Sequence, residues 1–193
     1  MEKQQLILAS NNIHKVEEIK HFIGDRFELL TLEQIGFEGD IEEPGSTLSE
    51  NSMIKAEYIF DKYHQSCIAD DSGLEVLSLN NEPGVYSARY AGPQRSHEDN
   101  MNLLLKNLKG ETDRSAQFRT VITLIHEGKI SQFDGVVKGK IISEKRGEQG
   151  FGYDPIFVPE GYDRTFAQMS LTEKNGLSHR TRAIEKMIEY LNL

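Results

Sequence analysis

The sequence predicts an α/β fold, a mixed sheet with flanking helices arranged as two lobes around a central cleft. Three observations carry this expectation. Apolar runs of strand length interleave with segments of helical periodicity in the N-terminal half. The middle of the chain reads as a β-hairpin, which is antiparallel by construction. No internal repeat, low-complexity tract or linker interrupts the 193 residues, so the whole chain, 1–193, is expected to be a single domain of two lobes.

Taken in order, Leu6 to Ala9 is a buried strand and Ser10-Asn11-Asn12 a polar turn. Lys15 to Ile23 is a helix with Val16, Ile19, Phe22 and Ile23 on one face, stopped by Gly24. A strand, a small polar turn and a helix start make an anion site, because free backbone N–H groups point outward there. Lys15 adds charge to it, although an ordinary capped helix with a solvated lysine would use the same residues. Phe27 to Leu32 is a second strand, followed by a loop from Glu33 to Ser46 that holds Asp40, Glu42 and Glu43. Thr47-Leu48-Ser49-Glu50 is a capping box. Its helix runs to about Tyr63, burying Met53, Ala56, Ile59, Phe60 and Tyr63 and leaving Asn51 and Lys55 on a polar side.

The stretch Cys67-Ile68-Ala69-Asp70-Asp71-Ser72-Gly73 is expected to be a short strand ending in an acidic turn, from which Leu74 starts another run. Adjacent carboxylates repel unless something positive lies beside them, and a hard cation such as Mg²⁺ is one solution. Asn80 to Gly84 is a turn, Ser96 to Asp99 an N-cap, and the helix through Leu108 buries Met101, Leu104 and Leu105. Ala116 to Glu127 and Ile130 to Val137 form the hairpin about Gly128. Ile156 to Val158 is a short strand, Ser170 and Glu173 open a helix, and Ser178 caps the closing helix with Ala183, Ile184, Met187, Ile188 and Leu191 inward.

Composition narrows the function classes. Hydrophobic residues at 37% and charged residues at 27% suit a soluble globular chain. A net charge of −9 argues against a broad nucleic-acid footprint, while leaving room for one anionic ligand at a local cluster of lysines. No apolar run approaches the roughly 20 residues of a membrane span, and the N-terminal run is too short for a signal peptide. One cysteine excludes an internal disulfide and a multi-cysteine zinc site, so the cytoplasm is the expected compartment. Neither a Walker loop nor a three-glycine dinucleotide fingerprint occurs, and any phosphate site must use another device.

Several motifs then occur in a fixed order. They are Ser10-Asn11-Asn12-Ile13-His14-Lys15, Glu50-Asn51 with Lys55, Ala69-Asp70-Asp71-Ser72-Gly73-Leu74, Pro83 to Tyr90, Gly150-Phe151-Gly152-Tyr153-Asp154-Pro155, Lys174, and Ser178-His179-Arg180. The series resembles the inosine triphosphate pyrophosphatase family, from Leu6 to the final helix, and no motif residue is missing. The resemblance implies an elongated α/β fold, a homodimer, and Mg²⁺-dependent hydrolysis of non-canonical purine nucleoside triphosphates (ITP, dITP, XTP) to monophosphate and pyrophosphate. It implies that Ser10, Asn11, Asn12, Ile13, His14 and Lys15, with Lys55, hold phosphate. Asp71 would be proton acceptor and metal ligand, Ser72 would touch substrate, and Glu43, with Glu42 as its neighbouring alternative, would be the second ligand. Phe151, Gly152, Tyr153, Asp154, Lys174, His179 and Arg180 would form the nucleoside end.

The residue chemistry agrees with that implication. Displacement at phosphorus needs positive charge at non-bridging oxygens, a positioned water and a base. Lys15, Lys55 and Mg²⁺ supply the charge, and a carboxylate such as Asp71 can take the water's proton. Asp70 could bind a second ion or orient the first. Phe151 offers a stacking face for a purine and Arg180 donors to a keto oxygen. His21, His64, His97 and His126 read as solvent-facing or packing residues, Cys67 as a small buried apolar group, and Arg89 as one half of a structural salt bridge, with substrate contact as its alternative. Two other functions fit the same residues: a non-hydrolytic nucleotide sensor, and a pyrophosphatase for modified pyrimidine nucleotides.

Overall fold

Strands alternate their side chains between two faces, and that alternation organises the molecule around one mixed sheet. The computed structural model describes residues 3–23 and 27–191, and Gly24, the expected helix stop, lies outside them. Strands β1 (Gln4–Leu8), β2 (Phe27–Thr31), β3 (Cys67–Val76), β4 (Glu82–Pro83), β5 (Ser115–His126), β6 (Lys129–Ile141) and β7 (Phe157–Pro159) lie in the order β2-β1-β3-β5-β6-β7, with β4 pairing β3. β1 runs parallel to β2 (Gln4 opposite Phe27) and to β3 (Ile7 opposite Cys67), while β3–β4 and β6–β7 are antiparallel. The helices are α1 (Ile13–Ile23), α2 (Leu48–Tyr63), α3 (His97–Asn107), α4 (Leu171–Asn175) and α5 (His179–Tyr190). The expected α/β class with a mixed sheet is the observed one.

The chain divides into two compact units, Met1–Asp71 with Thr120–Gly135 and Arg180–Leu193, and Ser72–Arg119 with Val136–His179. In the first, Leu6, Leu8, Ile68, Ile122 and Leu124 face α1 and α5, packing with Val16, Ile19, Ala183, Ile184 and Met187. The intervening residues Ile7, Ala9, Cys67, Ala69 and Ile125 face the other way, against Ala56 and Ile59 of α2. This period-2 division is what a strand buried on both faces requires. α2 is also tied to the sheet by a buried hydroxyl chain: Ser52 Oγ donates to the Ala69 carbonyl (3.0 Å) and lies 2.8 Å from Thr123 Oγ1.

In the second unit, Leu74, Val76, Met101, Leu104, Leu108, Phe118, Val137, Ile141, Tyr153, Phe157 and Phe166 form one core. The hairpin turn forms as expected, with Glu127 and Gly128 both at positive φ (49° and 75°), the requirement of a two-residue type I′ loop. The Glu82–Pro83 peptide is cis.

Two local expectations are overturned. Asp70, Asp71, Ser72 and Gly73 do not turn, because β3 runs unbroken from Cys67 to Val76. A Cβ on Gly73 would lie 2.3 Å from the Gly84 carbonyl oxygen, so this glycine serves close backbone approach and not reversal of the chain. In α2, Asn51 and Lys55 are buried and not on a polar outer side, at 1% and 7% exposure. Asn51 Oδ1 accepts from Gly45 N at 2.7 Å, so the loop before the helix covers this face. α1 begins at Ile13, two residues before the expected start.

Candidate active site

The alternation of β3 decides which partners its two acidic residues meet. Asp70 follows Ile68 on the α1/α5 face, and Asp71 follows Ala69 on the α2 face. Adjacent in sequence, the two carboxylates therefore have different neighbours. Asp70 Oδ2 lies 2.9 Å from Lys15 Nζ in the first turn of α1 and 3.4 Å from Arg180 Nε in the first turn of α5. Asp71 Oδ1 lies 3.9 Å from Lys55 Nζ, which is also 2.7 Å from Glu43 Oε2.

Burial and charge act against each other on these groups. Desolvation alone would raise Asp70, but Lys15, Arg180 and Lys55 outweigh it and hold its carboxyl well below the usual carboxylate range. Asp71 moves the other way: burial raises it, Glu43 and Asp70 add to the rise, and Lys55 and Lys15 offset only part of it. Burial also lowers the Lys15 ammonium, with Asp70 opposing.

The turn from β1 into α1 is held by its own side chains. Asn12 N donates to Ser10 Oγ (3.2 Å), Lys15 N donates to Asn12 Oδ1 (3.4 Å), and Asn11 Nδ2 donates to the Gly39 carbonyl (3.3 Å). Asn11, Asn12 and Ile13 are exposed, Ile13 at 60%, and His14 lies in the first turn of α1. Of the two neighbouring glutamates, it is Glu43 that reaches Lys55, and Glu42 is exposed.

The second unit gathers most of the remaining expected residues. Gly150 and Gly152 take positive φ (79° and 63°), and the turn they make closes on Asp154, whose Oδ2 accepts from Phe151 N at 2.9 Å. Lys174 Nζ sits 2.6 Å from the same carboxylate oxygen and 4.7 Å from the Phe151 ring centroid. Lys174 is carried by α4, a five-residue helix closed by a Ser170–Glu173 capping box. Hydrogen bonds from Ser170 and the Arg164 guanidinium hold the Glu173 carboxyl down at about 2. Tyr153 is buried, donating to the Ser87 carbonyl (2.9 Å), and burial pushes its phenol up.

His179 belongs with this unit and Arg180 with the first, although they are consecutive. His179 stacks on Phe118 (centroids 5.0 Å apart, planes at 14°). Sequence reading missed Phe118; its place in β5, two residues from Ala116 on an alternating face, is the signal that marks it as inward. It also passed over His97, whose Nδ1 accepts from Gly152 N at 3.3 Å. Among the described residues no salt bridge of Arg89 is found; its guanidinium carbon lies 5.3 Å from the Tyr86 ring centroid.

Among the described residues no group of three or more His, Cys, Asp and Glu converges as a metal cage. The Glu43–Asp71 pair on Lys55 is a different kind of donor set, two hard carboxylates drawn to one positive charge. That set fits Mg²⁺, which is typically held by one or two carboxylates with water and substrate phosphate completing its shell.

Comparison with known proteins bears on the family and the fold. The Ham1 family profile matches residues 6–190. The chain is 50% identical over 187 residues to a dITP/XTP pyrophosphatase of Flavobacterium johnsoniae, covering 97% of each chain, and 44% identical over 189 residues to one of Porphyromonas gingivalis, covering 97% of each. Among solved structures, the Ham1 protein of Staphylococcus aureus superposes with a TM-score of 0.92 at 42% identity, covering 98% of both chains. A HAM1 protein of Coxiella burnetii gives 0.92 at 37% identity, also covering 98% of both. On this profile match and full-length similarity, the chain belongs to the Ham1 family.

Proposed function

We propose that this protein hydrolyses non-canonical purine nucleoside triphosphates, ITP, dITP and XTP, to the monophosphate and pyrophosphate, cleaving between the α- and β-phosphates and so cleansing the nucleotide pool. The observation that carries the proposal is the pairing of adjacent β3 carboxylates with separate cations, Asp70 with Lys15 and Arg180, and Asp71, beside Glu43, with Lys55. The names of the relatives support it, because those proteins are called dITP/XTP pyrophosphatases.

In this reading Ser10 to Lys15 and Lys55 bind phosphate, and Asp71 takes a proton from the attacking water as the bond to pyrophosphate breaks. Glu43 and Asp71 would hold Mg²⁺, which when bound supplies positive charge to the phosphate oxygens. Ser72 touches substrate. Phe151 to Asp154, with Lys174 and His179, form the nucleoside end, and Arg180 donates to the 6-keto oxygen that hypoxanthine and xanthine carry and adenine lacks. The protein would act as a cytoplasmic homodimer.

The test is pyrophosphate release from ITP, dITP, XTP, GTP, ATP and a modified pyrimidine triphosphate, with and without Mg²⁺. Expected is Mg²⁺-dependent release, high on ITP, dITP and XTP, low on GTP and lowest on ATP. Binding without release would make the protein a sensor, and preference for the pyrimidine would overturn the purine assignment.

A further inference from the structure

Lys15 and Arg180 come from the first turns of two helices 165 positions apart in sequence by their residue numbers, yet both reach one carboxylate oxygen. Two cations on a common side of a sheet repel, and each helix alone would let its long side chain sample many rotamers. Asp70 removes both problems. Its side chain is 0% exposed within β3, and Oδ2 accepts from Lys15 Nζ and Arg180 Nε. Nε is the guanidinium nitrogen nearest the chain, so a bond there fixes the plane in which the two terminal nitrogens lie. Lys15 is set by the same atom. A carboxylate whose oxygen is shared by two cations on this face is poorly placed to be a ligand of an ion held by Glu43 and Asp71 on the other face.

We infer that Asp70 is a positioning residue, a fixed counter-ion that couples the phosphate-binding Lys15 to the base-reading Arg180. It touches neither substrate nor reacting water. The inference rests on the functions proposed above for Lys15 and Arg180. Its consequence is that substrate affinity and base selectivity share one buried support, so that a change at Asp70 disturbs both.

The experiment compares kcat/KM on ITP and ATP for the full chain and for D70N, R180A, K15M and the double variants D70N/R180A and D70N/K15M, with melting temperatures for all. D70N is expected to lower kcat/KM on ITP by at least about tenfold, the scale on which residues that orient a binding group act. The loss on ITP should exceed that on ATP, so the ITP/ATP ratio falls. Adding D70N to R180A or to K15M should cost much less than D70N costs alone. Strict additivity with an unchanged ITP/ATP ratio, whatever the melting temperature, would overturn the inference and leave Asp70 a support of the fold. If R180A lowers ITP and ATP equally, the base-reading function of Arg180 fails, while non-additivity still reports whether Asp70 positions it. Should D70N not fold, D70E, which keeps the buried charge but moves it by one methylene, is measured in its place with the same expectation.

Discussion

Asp71 and Cys67 lie four residues apart on one strand, and each supports a prediction about a single ionisable group. Asp71→Asn keeps the shape of the side chain and removes its charge and its capacity to take a proton. Turnover on ITP should fall at least about a hundredfold, the usual weight of a general base, with the melting temperature close to that of the parent. Near-normal pyrophosphate release from purified D71N would show that another group takes the proton. Burial pushes the Cys67 thiol up to about 12, and its Sγ donates to the Ala56 carbonyl at 3.2 Å. The folded protein should therefore resist a thiol-directed reagent at pH 8 and react fully in denaturant. Because the folded-state value lies above the ordinary one, the group's contribution to stability is intact at neutral pH and is lost as pH rises from the thiol range toward 12. Fast labelling of the native protein would contradict this. The residue types at Asp70 and Asp71 were legible in the sequence, but their separate roles were not, because a shared motif conceals which face of a strand each residue occupies.

Elements ruled by local chemistry were legible. The α2 capping box, with Thr47 Oγ1 accepting from Glu50 N, and that of α4 are encoded within four residues and formed as expected. The core stripes of α3 and α5 follow from periodicity in the same way. What failed was non-local. Asp-Ser-Gly has turn chemistry, but in β3 the approach of Gly84 decides the outcome, and Gly84 lies eleven positions on by residue number. Lys55 looked polar-facing because its partner Glu43 sits in a loop outside the helix. Gly73→Ala tests the β3 reading: an added methyl against a backbone carbonyl must displace one segment or the other. Destabilisation of about 1–3 kcal/mol in urea titration is expected, the range for overpacking. Unchanged stability would mean that the close approach can relax at no cost.

At the scale of the whole molecule, the expected homodimer is checked by light scattering at micromolar concentration, where twice the chain mass of 21.9 kDa is the expected value. A single-chain mass would refute it. The motifs gave the order of the site along the chain. The way the chain is shared between its two compact units could not be read from them, because no composition shift or linker marks the boundaries. The chain passes from one unit to the other four times, at 71/72, 119/120, 135/136 and 179/180. Two of these passages separate Asp71 from Ser72 and His179 from Arg180. Genetic dissection is constrained accordingly: no single cut or terminal truncation can yield either unit as an uninterrupted polypeptide, so the two halves could not have been joined by simple end-to-end fusion of the present units. New termini opened at the Glu127–Gly128 hairpin would leave all four passages covalently intact, which makes that turn the natural place to permute the chain.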